Sequence, residues 1–169
     1  RMRRDYFVTG TDTGVGKTQI TAALARLLSE RNLVVRPRKP VESGCRQEGG
    51  RLVPEDARTL QAAARSEDPL ERICPYSFEP ALSPERAADL AGVRIALDDV
   101  RTAWLEGVAE VDFLGDRYTF LDCPGSIEFQ NETTAALTAC DAAVVVCEPD
   151  PKKIPALQLI LKQIEDLGV

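Results

Sequence analysis

The sequence contains no histidine, and that absence excludes several classes of active site. A hydrolase of the Ser-His or Cys-His type needs an imidazole base, so catalysis here must use Lys, Asp, Glu, Ser, Thr, backbone amides or a metal. The five cysteines form no C-x-x-C pair, and without histidine a zinc site is not expected. We expect thiols that are buried, or free in a reducing cytoplasm.

The sequence also lacks an excess of basic residues, because 21 Lys and Arg against 27 Asp and Glu give a formal net charge of −6. Non-specific nucleic-acid binding needs a basic face, so no nucleic-acid partner is expected. No apolar run approaches the length of a membrane span. The basic start, residues 1–4, has no apolar segment behind it, so neither a membrane partner nor a signal peptide is expected.

The most informative pattern that is present is Tyr6–Thr18, where an apolar run, a glycine-rich loop and a helical pattern follow one another. Tyr6 to Val8 is typical of a buried strand. Lys17 and Thr18 then open a segment whose apolar residues have helical spacing: Ile20, Ala23, Leu24, Leu27 and Leu28. Strand, loop and helix N-terminus together predict a phosphate-binding cradle.

The chemistry of this loop suits the phosphates of a nucleotide. Glycines let the backbone turn tightly and bring its N–H groups against an anion. In such loops a lysine, here Lys17, reaches the outer phosphates, and a hydroxyl, here Thr18, holds Mg²⁺. Five residues separate Gly10 from Gly16, whereas the standard pattern has four. The alternative is a glycine-rich turn whose lysine faces solvent. The residues expected to contact the nucleotide are Thr11, Asp12, Thr13, Gly14, Val15, Gly16, Lys17 and Thr18.

A second group of polar residues stands at and just after the end of the next predicted strand, Leu33–Val41. Lys39 stands near the end of this strand, with Ser43 just beyond it. Ligands of open parallel sheets sit outside the carboxyl ends of the strands, so we expect both side chains at the edge that carries the phosphate loop. A solvated charge is the alternative for Lys39. A helix start is predicted at residues 54–56, where Asp56 would point back toward the loop or simply cap its helix.

The segments that follow are connections and short helices. Residues 46–51 are predicted as a flexible loop, and residues 69–84 as a proline-rich connection. A short helix is predicted over Glu85–Leu90, ended by Gly92. A further helix would carry Trp104 on its core face.

An apolar strand, Arg117–Asp122, ends in an acid and is followed by Pro124 and Gly125. In phosphate-hydrolysing sites an acid at a strand end holds Mg²⁺, directly or through water. The glycine amide can sense a terminal phosphate. Asp122 is therefore a candidate magnesium ligand beside Thr18.

The last segments predict a helix over Ile127–Thr138, a fully buried strand over Ala142–Cys147 and a closing helix over Pro151–Leu167. The 169 residues, 44% hydrophobic and 28% charged, fit one domain of ordinary size. Alternating strands and helices predict an α/β fold of the P-loop NTPase type, with a mostly parallel sheet and helices on both faces.

From Tyr6 to about Ala109 the chain resembles dethiobiotin synthetase, an ATP-dependent ligase of biotin biosynthesis. Four motifs carry the resemblance: Gly10–Thr18, Lys39–Gly44, Glu55–Ala57 and Pro75–Pro84. The five-residue spacing in the loop is this family's own. One departure is Glu85, where the family usually has histidine.

The synthetase resemblance implies roles for particular residues. Lys17 and Lys39 would bind phosphate or carbamate, while Thr13 and Ser43 would contact substrate. Thr18 and Asp56 would serve Mg²⁺. Lys17, Lys39 and Ser43 are thus the expected catalytic residues. The implied reaction forms a carbamate on 7,8-diaminononanoate with carbon dioxide, phosphorylates it from ATP and closes a ureido ring. A homodimer is also implied, although the half that would help to build its surface is replaced here.

From about Phe113 to Val169 the chain resembles the GTPase domain of an elongation factor G-like protein. Asp122–Gly125 matches that family's Asp-x-Pro-Gly loop, and Ser126 stands where a histidine is common. No Asn-Lys-x-Asp element for reading guanine follows. The expected domain is therefore a single unit, residues 1–169, chimeric with a joint near residue 110 and truncated at its C-terminus.

Three functions remain open from the sequence. The first is a ligase of dethiobiotin synthetase type using ATP and Mg²⁺, with its activity impaired by the replaced half. The second is a fragment of a GTP-binding translation-factor domain. The third is a nucleotide-binding hybrid without catalysis. A natural fusion, an engineered chimera and a faulty gene assembly all account for the joint.

Overall fold

The computed structural model describes residues 3–96, 117–122, 137–138 and 140–169. Their helices and strands are, in chain order, β1 (Arg3–Gly10), α1 (Lys17–Ser29), β2 (Val34–Arg38), β3 (Val41–Ser43), β4 (Arg46–Glu48), β5 (Arg51–Val53), α2 (Glu55–Ala64), α3 (Leu70–Ile73), β6 (Tyr76–Phe78), α4 (Pro84–Ala91), β7 (Arg117–Asp122), β8 (Ala142–Val146), a 3₁₀ turn (Pro151–Lys153) and α5 (Ile154–Leu167). The helix that was predicted to carry Trp104 lies outside these residues, as do Pro124 and Gly125 and most of the helix predicted over Ile127–Thr138.

Four parallel strands form the central sheet, in the order β2-β7-β1-β8. The register aligns Val8 with Asp122 of β7 on one side and with Val144 of β8 on the other. Strands β1 and β2 are consecutive in sequence but are not neighbours, because β7 lies between them. The carboxyl ends of these strands therefore meet at one edge, as parallel strands require.

Alternating side chains of the strands supply a core on each face of the sheet. The core toward α1 and α2 contains Val8, Ala25, Val35, Ala64 and Phe120. The core on the opposite face contains Phe7, Leu121 and Leu137, with Ile164 and Leu167 of α5 packed against them. The predicted fold, a mostly parallel sheet with helices on both faces, is confirmed.

Two predicted loops are wrong. Residues 46–51 belong to an antiparallel hairpin of β4 and β5, whose turn is made by two glycines with positive φ, Gly49 and Gly50. The proline-rich connection over residues 69–84 contains α3 and β6, and β6 pairs in parallel with β3. Each strand is only three residues long, too short to give a readable alternation of apolar and polar side chains.

The predicted burial of the strand at 142–147 is also wrong. All five residues of β8 are half-buried, because β8 is the last strand of the sheet among the residues described. Within the same residues no helix has both the length and the apolar character needed to cross a membrane.

Candidate functional site

The glycine-rich loop joins β1 to α1 at the edge where the parallel strands end. Gly10 is the point of closest approach: a Cβ added there would lie 2.6 Å from the carbonyl oxygen of Val146 and 2.8 Å from Cγ2 of Val15. One residue later, the Thr11 amide donates to that same carbonyl at 3.1 Å. Only glycine lets β8 come this close, and β8 thereby fixes where the loop begins.

The loop reaches α1 through backbone conformations that favour glycine. Gly14 and Gly16 have φ of 79° and 97°. Gly16 occupies the N-cap position of α1, and no side chain caps this terminus. Its first-turn N–H groups and the positive end of the helix dipole thus form a site suited to an anion.

Lys17 lies inside the loop and not in solvent. Its side chain is buried, and its Nζ donates to the carbonyl oxygen of Asp12 at 2.6 Å. Asp12 also accepts the Thr13 amide at 2.7 Å and pairs with Lys153. The Lys153 hydrogen bond, helped by the Thr13 amide, lowers the pKa of Asp12 below its ordinary value.

Lys39, Asp56 and Thr18 meet across three elements. Lys39 Nζ lies 3.0 Å from Oδ2 of Asp56, and the Thr18 hydroxyl donates to that same oxygen at 2.9 Å. The Asp56 side chain is 46% exposed, whereas Lys39 is buried. The ion pair therefore opens on one side, where a ligand can reach the carboxylate.

Glu42 is a site residue that the sequence analysis missed. Its two carboxylate oxygens accept the backbone N–H groups of Asp56, at 2.9 Å, and Ala57, at 3.0 Å. Burial raises the pKa of Glu42, although these hydrogen bonds oppose the shift. The available signal was Pro54, which occupies the N-cap position of α2 without a side-chain acceptor, so that the cap has to come from another segment.

These groups surround one cleft of about 670 Å³, a volume typical of small-molecule sites. Its lining residues are Thr13, Gly14, Gly16, Lys17, Thr18, Gln19, Lys39, Val41, Glu42, Ser43, Asp56, Ala81, Leu82, Ser83 and Pro84. The cleft thus joins the phosphate loop, the segment after β2, the start of α2 and the segment before α4.

The remaining candidate residues lie beside the cleft. Thr11, Asp12 and Val15 belong to the loop but are not among the lining residues. Asp122 ends β7 next to Val8, on the edge from which the loop leaves. Residues 123–126, which carry the rest of the second predicted phosphate motif, lie outside the described part of the chain.

The donors near Thr18 suit Mg²⁺ by their chemistry. A hydroxyl and a carboxylate share a hydrogen bond at the mouth of the cleft, and hard oxygens are the ligands that Mg²⁺ prefers. The described residues contain no group of three or more His, Cys, Asp and Glu side chains able to enclose a metal ion. A hydroxyl and a carboxylate leave coordination positions for waters and for nucleotide phosphates, as Mg²⁺ sites commonly do.

Two different family models match the two parts of the chain. The model described as an AAA domain matches residues 4–114, and the elongation factor Tu GTP binding domain matches residues 104–169. The two matches overlap over residues 104–114. The residues of the cleft all lie within the first match.

Curated relatives bear the name ATP-dependent dethiobiotin synthetase BioD. The protein of Ruthia magnifica is 42% identical over 97 residues, which are 57% of this chain and 45% of that protein. The protein of Nitrosospira multiformis is 42% identical over 113 residues, 67% of this chain and 48% of that protein. This chain spans about half the length of the curated relatives that it matches. Both resemblances drawn from the sequence are confirmed.

Proposed function

The chain belongs to the AAA domain family, and from this premise we propose that it is an ATP- and Mg²⁺-dependent ligase of dethiobiotin synthetase type. The observation that carries the proposal is the convergence of Lys17, Lys39, Thr18 and Asp56 on one cleft. The names of the curated relatives supply the reaction class.

Phosphoryl transfer needs alignment and charge neutralisation more than it needs a strong base. Lys17 and Lys39 provide two cations in one cleft, and the uncapped start of α1 provides N–H donors. We propose that Lys17 binds the outer phosphates of ATP and that Lys39 exchanges part of its contact with Asp56 for a phosphate or carbamate oxygen. No histidine is required for these roles, in agreement with the composition.

Thr18 and Asp56 are the proposed magnesium ligands, with Asp122 as a third candidate at the end of β7. When bound, Mg²⁺ would neutralise phosphate charge and help to orient the phosphate groups. Glu42 contributes indirectly, because it caps the N-terminus of α2 and so holds Asp56 in place. Asp56 also keeps its carboxylate half exposed, as an exchangeable ligand must.

The proposed substrates are 7,8-diaminononanoate and carbon dioxide, the pair implied by the synthetase resemblance. Ser43 and Thr13 line the cleft and are the proposed substrate contacts. Ala81 and Leu82 add apolar surface beside them, suited to a hydrocarbon chain. We propose a cytoplasmic location, where cysteines such as the buried Cys45 and Cys74 stay reduced.

A GTP-binding domain is the second candidate, favoured by the elongation factor Tu match over residues 104–169. None of the residues that line the cleft lies within this second match. We propose that ATP binds at least as tightly as GTP. Calorimetric titration of the full chain with each nucleotide, with and without Mg²⁺, tests this, and a strong preference for GTP would overturn it.

The replaced second half is the reason to propose slow turnover. The chain is proposed to be one domain, residues 1–169, with its joint near residue 110. The synthetase resemblance implies a glutamate and a glycine-rich loop at the positions where Asp122 and Cys123 stand here. Loss of one preorganised donor to a transferring phosphate can cost about two to three orders of magnitude in rate.

A steady-state assay of phosphate release, with the diamine and bicarbonate, measures that cost. We expect ATP binding with turnover far below the usual range of roughly 1 to 10 per second. Turnover within that range would refute the impairment and leave the ligase proposal standing. Tight ATP binding with no phosphate release at all would favour the non-catalytic hybrid.

A further inference from the structure

An ion pair links the phosphate loop to the segment that follows β8. Lys153 Nζ contacts Oδ2 of Asp12, and the two residues are 141 positions apart in sequence. Asp12 lies in the region matched by the AAA domain, and Lys153 lies in the region matched by the elongation factor Tu domain. The contact therefore joins the two differently matched segments at the candidate site itself.

The sheet explains how these two residues meet. Gly10 ends β1 in register with Val146, the last residue of β8, so both segments leave the sheet at the same edge. The chain then makes a 3₁₀ turn that ends at Lys153, and Asp150 stabilises this turn by accepting the Lys152 amide at 2.9 Å. Lys153 is thus held on a short ordered turn beside the loop.

Asp12 is the residue through which Lys153 can act. One of its carboxylate oxygens accepts the Thr13 amide at 2.7 Å, and the other binds Lys153. Its carbonyl oxygen accepts Lys17 Nζ at 2.6 Å. A single residue therefore connects the Lys153 ammonium to the turn at Thr13 and to the buried lysine of the cleft.

The charge of Asp12 gives Lys153 a second effect. A carboxylate close to a phosphate-binding loop repels an anionic ligand, and a paired ammonium cancels much of that repulsion. We propose that Lys153 is a positioning residue of the phosphate loop, which orders and neutralises Asp12 so that the loop can receive the phosphates of a nucleotide. The inference rests on the proposed function, and it adds a residue from the second matched segment to that site.

The expected size of the effect follows from exposure. The Lys153 and Asp12 side chains are 29% and 49% exposed, and ion pairs at such positions are modest contributors. We therefore expect Lys153→Ala to weaken ATP binding about two- to five-fold. Lys153→Arg retains the charge and should restore most of the affinity. Lys152→Ala is the matched control, because it removes a neighbouring lysine that has no described contact with Asp12.

The first test is a double-mutant cycle measured by calorimetry with ATP and Mg²⁺. In an Asp12→Asn background, Lys153→Ala should change the ATP affinity by less than about 1.5-fold, because the residue acts through Asp12. An equal loss in both backgrounds would mean that Lys153 acts on the nucleotide directly, and would overturn the inference. So would a lowered melting temperature in Lys153→Ala with unchanged ATP affinity, since that result describes a purely structural contact.

The second test needs no nucleotide. The Asp12 carboxyl is titrated by NMR in the wild type, Lys153→Ala and Lys152→Ala. We expect its pKa to rise in Lys153→Ala alone, because the ammonium that lowers it is lost. Identical titration in all three proteins would overturn the inference, whatever the affinity for ATP. A wild type that fails to bind ATP while its Asp12 still depends on Lys153 would overturn the proposed function and leave the ion-pair coupling intact.

Discussion

Two aspartates, Asp56 and Asp68, each lie among basic side chains, yet their surroundings differ. Asp56 contacts Lys39 and the Thr18 hydroxyl at the mouth of the cleft, with its side chain 46% exposed. Asp68 follows α2 on the chain and is only 9% exposed. Its oxygens lie near three guanidinium groups, those of Arg36, Arg38 and Arg72.

The Asp68 carboxylate and the guanidinium groups of Arg36, Arg38 and Arg72 form a largely buried cluster. Arg38 donates to Asp68 at 2.7 Å, and its side chain is 1% exposed. Burial raises the pKa of Asp68, but the Arg38 hydrogen bond and the nearby guanidinium charges outweigh it and hold the pKa below its ordinary value. Gln61 adds a hydrogen bond to the Asp68 carbonyl at 2.8 Å. None of these residues lines the cleft.

The difference teaches which ion pairs can take part in ligand binding. A buried carboxylate among planar guanidinium groups cannot exchange its partners without leaving charges unpaired. A half-exposed carboxylate beside one lysine can release that lysine to a ligand at little cost. Changes at Asp68 should therefore affect folding, and changes around Asp56 should affect nucleotide binding.

The largest expected effect is on folding. Asp68→Asn should lower the free energy of unfolding by about 3–5 kcal/mol, because the variant leaves buried guanidinium charges uncompensated. Urea denaturation at pH 7 measures this. Asp56→Asn is the matched control, with an expected change below about 1 kcal/mol. If both variants lose a similar free energy of unfolding, burial does not distinguish the Asp68 cluster from the Asp56 ion pair.

Acid should act on the same cluster in a defined direction. Because the folded-state pKa of Asp68 is lowered, its contribution to stability is fully present above the ordinary aspartate value. That contribution is lost as the pH falls through the folded-state pKa. The stability difference between wild type and Asp68→Asn should therefore shrink only in strongly acidic solution, as measured by denaturation across pH. A difference that already shrinks above pH 5 would contradict the lowered pKa.

The next effect concerns the ligand. Lys17→Ala should weaken ATP binding at least 100-fold, about 2.7 kcal/mol, because it removes a buried cation from the cleft. Calorimetry measures the affinity, and circular dichroism should show an unchanged fold. Lys162→Ala on the exposed side of α5 is the control. An unchanged affinity in folded Lys17→Ala would sink the assignment of this loop to phosphate.

A smaller loss is expected for the proposed magnesium ligands. Asp56→Asn should weaken Mg²⁺-dependent ATP binding about 10-fold, and Asp122→Asn should reduce it by a comparable or smaller factor. Affinity in the absence of Mg²⁺ should change little. Titrations over a range of Mg²⁺ concentrations separate the two contributions. If neither variant alters the Mg²⁺ dependence, the metal is held elsewhere.

The smallest effect is expected at Glu42, whose carboxylate accepts the Asp56 and Ala57 amides at the start of α2. Glu42→Gln should cost about 1 kcal/mol of stability at pH 7, because one charge-assisted hydrogen bond to α2 is lost. Burial raises the folded-state pKa of Glu42, so the folded protein takes up a proton more readily than the unfolded chain. We compare the free energy of unfolding of the wild type with that of Glu42→Gln. The wild type should gain stability relative to the variant as the pH falls from the raised pKa to the ordinary glutamate value. A loss of wild-type stability relative to Glu42→Gln over the same pH range would contradict the argument that burial raises this pKa.

The sequence predicted the phosphate loop and its flanks well, because the information there is local. The three glycines, the preceding apolar run and the start of α1 at Lys17 all stand within one short stretch. Lys39 and Ser43 were assigned to that edge from the rule for parallel sheets, and Asp56 from a predicted helix start whose carboxylate would point toward the loop. All three line the cleft. Their chemical roles stay predictions.

Other features depended on tertiary contacts that no pattern records. Glu42 looked like an ordinary polar residue until the register of β3 and the start of α2 brought it onto the Asp56 amide. Arg36 and Arg38 interrupt an apolar strand, and their burial follows only from Asp68, which lies 30 residues after Arg38. In α1 the apolar Ile20 and Leu27 are exposed. Helical spacing alone could not tell them from the core-facing residues.

The strand order also has a consequence for the time course of synthesis. Strand β7 separates β1 from β2, and residues 11–116 lie between β1 and β7 in the chain. On a ribosome adding about 5–20 residues per second, on the order of ten seconds pass before β1 can find its neighbour. Until then, the exposed edges of β1 and β2 are without the strand that joins them. The phosphate loop, although it is translated early, acquires its supporting sheet late, and a nascent chain halted before residue 117 should not bind nucleotide.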